Sequence, residues 1–167
     1  VRKETLYKKL KPEAQQNVAQ FVEELRDEAL VYSNLREPIL SFWDSDREIV
    51  RLIEELNIMG LEQVYVLLLA AYRRFFEREK EKFKLILRAA TNFSFRWSKV
   101  CGRNPNEMER TYGELARKLR RREIDETRVI ERLRGIAPRD DEFIPVSYTH
   151  LRAHETRHDL VCRLLLE

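Results

Sequence analysis

The 167-residue chain is 43% apolar and 37% charged, which is enough for one ordinary domain with its own core and not obviously for two. Its 32 Lys and Arg against 29 Asp and Glu give a net charge of +3, a balance that permits contact with nucleic acid without demanding it. The longest apolar run, Val64–Ala71, is far too short to span a membrane, and four dispersed glycines cannot compose a phosphate-cradling loop.

Apolar residues recur at helical spacing almost throughout. Val18, Phe21, Val22, Leu25, Tyr32 and Leu35 step by three and four between Pro12, which suits a first turn, and Pro38, so one long amphipathic helix is expected over Pro12–Arg36. A second is expected to open on a capping box, Ser45 to Glu48, and to turn Ile49, Leu52, Ile53 and Leu56 inward before stopping near Gly60. Val64, Leu67, Leu68, Ala71, Tyr72, Phe75 and Phe76 form the widest apolar face, which places the third helix at the centre. Phe83, Ile86, Ala90, Phe93, Trp97 and Val100 predict a fourth core-facing helix, with Gly102 as its stop. Asn104-Pro105 or Asn106 opens a fifth, with Met108, Tyr112, Leu115 and Leu119 inward, and Asp125 caps a last one carrying Val129, Ile130 and Leu133 to Gly135 and Pro138. Short loops make sequential helices antiparallel neighbours, so the expected fold is a single all-α antiparallel bundle.

The end of the chain reads differently. From Pro145 through Val-Ser-Tyr-Thr-His-Leu-Arg-Ala-His-Glu-Thr156 it resembles the translation of the transposase adapter used in short-read sequencing libraries. Asp159–Glu167 resembles, in the same frame, the constant segment beyond the sample index, and Arg157 and His158 fill an index-sized gap. On this reading residues 1–145 are the helical region, an interior piece of a longer protein, and 146–167 are not native and should pack poorly. The histidines His150, His154 and His158 lie at i, i+4, i+8, a spacing that would otherwise suggest a metal site, and all three fall in this tail with Cys162. Cys101 is then the one cysteine of residues 1–145, without a histidine to activate it, and is expected as a small core residue.

Asn92-Phe-Ser-Phe-Arg-Trp-Ser-Lys-Val-Cys-Gly102, followed by Glu107-Met-Glu-Arg-Thr-Tyr-Gly-Glu-Leu-Ala116, resembles the helical region of the GmrSD-type restriction endonucleases. Tyr32-Ser-Asn-Leu35, Phe42-Trp43, the Val66–Leu69 run and Asp140-Asp-Glu-Phe143 extend the resemblance over most of residues 1–144. It implies a phage-defence enzyme that cleaves DNA carrying modified bases, with a ParB-like N-terminal domain using a nucleotide and a His-Asn-His nuclease domain using a divalent metal. Neither the Asp-Gly-Gln-Gln-Arg motif of the first domain nor a nuclease motif is present, so no catalytic, cofactor-binding or metal residue is assigned here. The resemblance implies a cytoplasmic, non-catalytic linking region. An independent helical protein-interaction module is the alternative, and a histidine-based metalloprotein stands only on the tail.

Two further features bear on function. Arg117, Lys118, Arg120, Arg121 and Arg122 cluster at the end of the fifth helix, where they suit the negative end of the helix dipole and are also candidate contacts to DNA phosphates. The second use requires side chains on a face clear of carboxylates. Arg96, between Phe95 and Trp97, is expected as a stacked or carboxylate-paired structural arginine or as part of a path between domains, and Glu23-Glu24, Glu54-Glu55 and Asp140-Asp141 as surface charge.

Overall fold

The structure is a computed structural model that describes residues 17–140 and residue 142. The expected start at Pro12, Asp141, and the tail 146–167 with its three histidines and Cys162 lie outside the described residues.

Among the described residues there are six α-helices and no strand: α1 (Val18–Arg36), α2 (Arg47–Ile58), α3 (Tyr65–Phe75), α4 (Lys80–Ser94), α5 (Pro105–Arg120) and α6 (Glu126–Ile136). Their termini follow from local chemistry. Asn17 Oδ1 accepts the Gln20 amide and opens α1. At α2 the cap is Asp46, whose carboxylate accepts the Glu48 and Ile49 amides, and not Ser45. Asp44 and Ser45 both take positive φ in the tight turn before the helix, which carries the Ser45 hydroxyl out of capping position, and Glu48 is engaged by Lys84 and Arg88 instead of closing a box. Gly60, at φ +65°, closes α2 with a left-handed cap in which the Leu61 amide reaches back to the Leu56 carbonyl.

Gly60 and α3 are not contiguous. A 3₁₀ turn over Glu62–Val64 intervenes, and α3 runs only from Tyr65 to Phe75 before a break at residues 76–79. The helix begun by α4 ends in a π-helical segment over Phe95–Val100, with the Cys101 amide bonded five residues back to the Arg96 carbonyl.

The core is continuous. Leu67, Leu68, Ala71 and Phe75 of α3 meet Phe83, Ile86, Leu87, Ala90 and Phe93 of α4, Tyr112, Leu115 and Leu119 of α5, and Val129 and Leu133 of α6. Each large side chain buried there contributes on the order of 1.5–3 kcal/mol. Trp43, on the α1–α2 connection, is fully buried against Phe42, Tyr72, Phe76 and Phe83 with ring centroids 5.0–5.8 Å away. The largest interfaces join α3 to α5 and α4 to α6, so these helices reach across their chain neighbours as well as touching them. The expected centre, Val64–Phe76 with Phe83–Val100, is the observed one.

The α1 stripe is different. Only Val31, Asn34 and Leu35 of α1 are buried, while Val18, Val22 and Leu25 stand 62%, 55% and 58% exposed. No described element lies over the first half of this helix to cover them.

Candidate functional site

The basic end of α5 is built by a helix stop. Pro105 at the first turn and the Asn104 cap, which accepts the Asn106 amide, start α5, and its last turn brings Arg117, Lys118 and Arg120 to the negative end of the dipole. The Glu123 amide then bonds the Lys118 carbonyl and the Arg122 amide the Leu119 carbonyl, a Schellman arrangement. It puts Arg122 at φ +60°, the position where glycine is the usual occupant.

This stop splits the five basic residues. Lys118 pairs with Glu114 at 2.8 Å, Arg120 crosses to Glu28 of α1 at 2.7 Å, and Arg121 lies 3.7 Å from Glu123. Arg117 and Arg122 are exposed and have no carboxylate partner among the described residues. The cluster is therefore not one face clear of acids.

What the fold adds is a cleft of about 640 Å³ where the end of α3, the start of α4, the end of α5 and the start of α6 meet. Arg73, Arg74, Arg78, Lys82, Arg120 and Arg122 line it together with Glu77, Glu79, Asp125 and Glu126, over Ala70, Phe75 and Leu119. Arg74 donates to the Leu119 carbonyl at 2.8 Å and lies 5.1 Å from the centre of the Phe75 ring. Arg73 is held by Glu24 at 3.2 Å and Glu28 at 3.3 Å; Gln20 and Arg73 in turn hold the Glu24 carboxyl below its ordinary range. Lys82 sits between Glu79 at 2.6 Å and Glu126 at 3.5 Å, and the Glu79 hydrogen bond raises its ammonium above the usual lysine value. Sequence reading found Arg120 and Arg122 and missed Arg73, Arg74 and Arg78. Those three interleave with acids some forty residues earlier, and nothing local connects them to α5.

A second set of basic residues holds the chain beyond α6. Arg96, on the π-helical segment, donates to Asp140 Oδ1 at 2.6 Å and to the Pro138 carbonyl at 3.3 Å, which makes it a carboxylate-paired structural arginine. Arg103 grips both oxygens of Glu142 at 3.1 and 2.5 Å and lies 4.9 Å from the centre of the Trp97 ring. Between them Cys101 is half-buried. Burial, with the Glu142 carboxylate adding to it, raises its thiol above the usual value, so it stays protonated near neutrality, the opposite of an activated nucleophile. Of the paired carboxylates, Glu23 and Glu54 are exposed as expected, Asp140 is tied to Arg96, and Glu55 departs from expectation: it is buried, 3.5 Å from Arg51.

Among the described residues no three His, Cys, Asp or Glu side chains converge in a metal-binding group, and no helix is long and apolar enough to cross a membrane. In comparisons with known proteins the chain matches no family model, no curated protein and no solved structure.

Proposed function

We propose that this chain is the non-catalytic helical region of a modification-dependent restriction endonuclease of the GmrSD type, a cytoplasmic phage-defence enzyme. In that role it links a ParB-like nucleotide-using domain to a His-Asn-His nuclease domain, and it meets DNA as part of the intact protein. The observation that supports this reading is where the resembling residues fall. Phe93, Ser94 and Trp97 of the first stretch and Met108, Tyr112, Leu115 and Ala116 of the second are all buried, and they meet. Ser94 Oγ and the Tyr112 hydroxyl lie 2.5 Å apart, Tyr112 also donates to the Ala90 carbonyl at 3.2 Å, and Phe93 packs edge-on to Tyr112 at 5.8 Å. The resemblance is thus carried by the joint between α4, its π-helical end and α5, as suits a scaffold without chemistry of its own. The nucleotide and divalent metal of such an enzyme belong to the flanking domains, and no residue here is assigned to either.

The exposed Val18, Val22 and Leu25 favour one second reading, an independent helical interaction module. Sequencing outward from both ends of this locus separates the two. The endonuclease reading expects Asp-Gly-Gln-Gln-Arg upstream and a His-Asn-His motif downstream, and the intact gene, but not one lacking residues 17–140, should restrict phage whose DNA carries modified bases. Flanks without either motif would reject it in favour of the interaction module.

A further inference from the structure

The two cations that α5 leaves unpaired have different surroundings. Arg117 stands on the open surface, whereas Arg122 lines the cleft. Arg78, just past the end of α3, lines the same cleft and also has no carboxylate partner among the described residues. Arg74 spends one of its guanidinium N–H groups on a backbone carbonyl and meets no acid with the rest of its fork among the described residues.

Most of the acids nearby are already engaged. Glu79 and Glu126 flank Lys82, and Asp125 Oδ1 accepts the Arg128 amide that opens α6. Glu28 bridges Arg73 and Arg120, and Glu24 supplies Arg73 with a second carboxylate. Among the described residues Glu77 is the lining carboxylate without an ion-pair or hydrogen-bond partner, one acid in a cleft it shares with Arg74, Arg78 and Arg122. Phe75 and Leu119 beneath them supply apolar surface that strengthens the field of those charges. Arg122 has a second mark. Its backbone sits where glycine would be less strained, and its side chain makes no ion pair among the described residues that would offset that strain.

We propose that this cleft binds a ligand presenting two or more phosphate oxyanions, held by Arg78 after the end of α3, Arg122 after the end of α5, and Arg74 beside them. Guanidinium forks match the oxygen spacing of phosphate, and a volume of about 640 Å³ accommodates two linked phosphates with their neighbouring groups. The inference does not rest on the endonuclease reading, since an interaction module could carry the same cleft. It moves the phosphate contact from the exposed tail of α5 to the α3–α5 junction.

The test compares two double variants of the full chain with the same change in net charge: Arg78→Ala with Arg122→Gly, and Arg117→Ala with Arg121→Ala. Arg122→Gly suits the left-handed cap, so an unchanged thermal midpoint is expected for the first pair. Affinity is read by anisotropy or competition for a short single-stranded DNA, its duplex and tripolyphosphate across a salt series. The cleft pair should weaken binding roughly ten-fold or more and lower the salt slope on DNA by about 1.5, while the surface pair stays within about two-fold. Binding to the nucleic acids alone assigns the phosphates to a backbone and binding to tripolyphosphate alone to a small polyphosphate; either upholds the cleft. Equal losses from both pairs, no binding of any phosphate probe, or displacement by poly-glutamate at the same concentration as by tripolyphosphate would overturn it.

Discussion

Helices α1 and α4 carry the same message in sequence and meet opposite fates in the fold. Both have apolar residues at steps of three and four. In α4, Phe83, Ile86, Ala90 and Phe93 are no more than 2% exposed, because α3, α6 and α2 close around them. In α1, Val18, Val22 and Leu25 are more than half exposed, and the helix is tied down by its last two turns. There Val31 and Leu35 enter the core, Tyr32 meets Tyr65 edge-on at 5.8 Å, and Asn57 Nδ2 donates to the Leu35 and Arg36 carbonyls at 2.9 Å each. Its middle is held by exposed ion pairs from Glu24 and Glu28 to Arg73 and Arg120, a kind of contact worth ~0–1 kcal/mol. Periodicity therefore reports which face of a helix is apolar. Whether that face is buried depends on a partner elsewhere in the chain.

The largest effect should come from deleting an aromatic at the closed end of this comparison. Trp43→Ala removes the fully buried ring around which Phe42, Tyr72, Phe76 and Phe83 pack, and should cost about 3–5 kcal/mol in urea unfolding. Leu25→Ala, on the exposed half of α1, should stay within about 0.5 kcal/mol. Similar losses from both would erase the distinction between the helices.

Asn57→Ala sharpens it at the point where α1 is fastened. The substitution deprives two backbone carbonyls of a donor and the Tyr65 hydroxyl of its acceptor, so a loss of about 1–3 kcal/mol is expected, with the amides at the end of α1 exchanging faster. A loss confined to tenths of a kcal/mol would mean that apolar contacts alone hold the last turn.

Alkaline pH addresses the same junction. Burial, then the Glu62 charge, pushes the Tyr65 phenol up to about 12 from an ordinary 10.0, so the folded chain keeps this proton where the unfolded chain releases it. The stability linked to Tyr65 is thus fully present below pH 10 and is lost as pH rises through about 12. Burial also raises the Tyr112 phenol, although its Ser94 hydrogen bond opposes the shift. Tyr65→Phe should lose a smaller share of its neutral-pH stability across that window than the parent does, measured by melting at successive pH values. An identical pH dependence would show that Tyr65 does not titrate in a buried site.

The smallest effect belongs to the ionic middle of α1. Glu28→Gln frees Arg120 of this ion pair, leaves Arg73 on Glu24 alone, and should cost under about 1 kcal/mol at low salt, with the difference vanishing at high ionic strength. A salt-independent cost would assign Glu28 a packing role.

Much of the bundle was legible in the sequence because α2 to α6 each present an apolar face and several carry local boundary signals: Gly60 and Gly102 as stops, the Asn104-Pro105 start, and the Asp125 cap, which accepts the Arg128 amide. Other features are set by tertiary structure. The left-handed pair Asp44 and Ser45 contains no glycine to announce it, so the cap fell one residue later than expected. Ser94 to Val100 reads as ordinary helix, yet widens into a π turn where Arg96 and Trp97 must serve the segments around Asp140 and Asn104. Of the candidate site, the run Arg117–Arg122 is visible as charge, but its division into paired and unpaired members depends on Glu28, Glu114 and Glu123. The cleft combines residues from Ala70 to Glu126, a juxtaposition that only the packing of α3 on α5 creates.

Amide hydrogen exchange on the full chain, resolved along the sequence, tests most directly whether one closed core leaves the first half of α1 outside it. The account predicts that amides of α3 and α4 are the slowest and exchange through global unfolding, while those from Phe21 to Ala29 open far more readily. Protection over Phe21 to Ala29 equal to that of α4 would contradict it and require a partner for the exposed stripe.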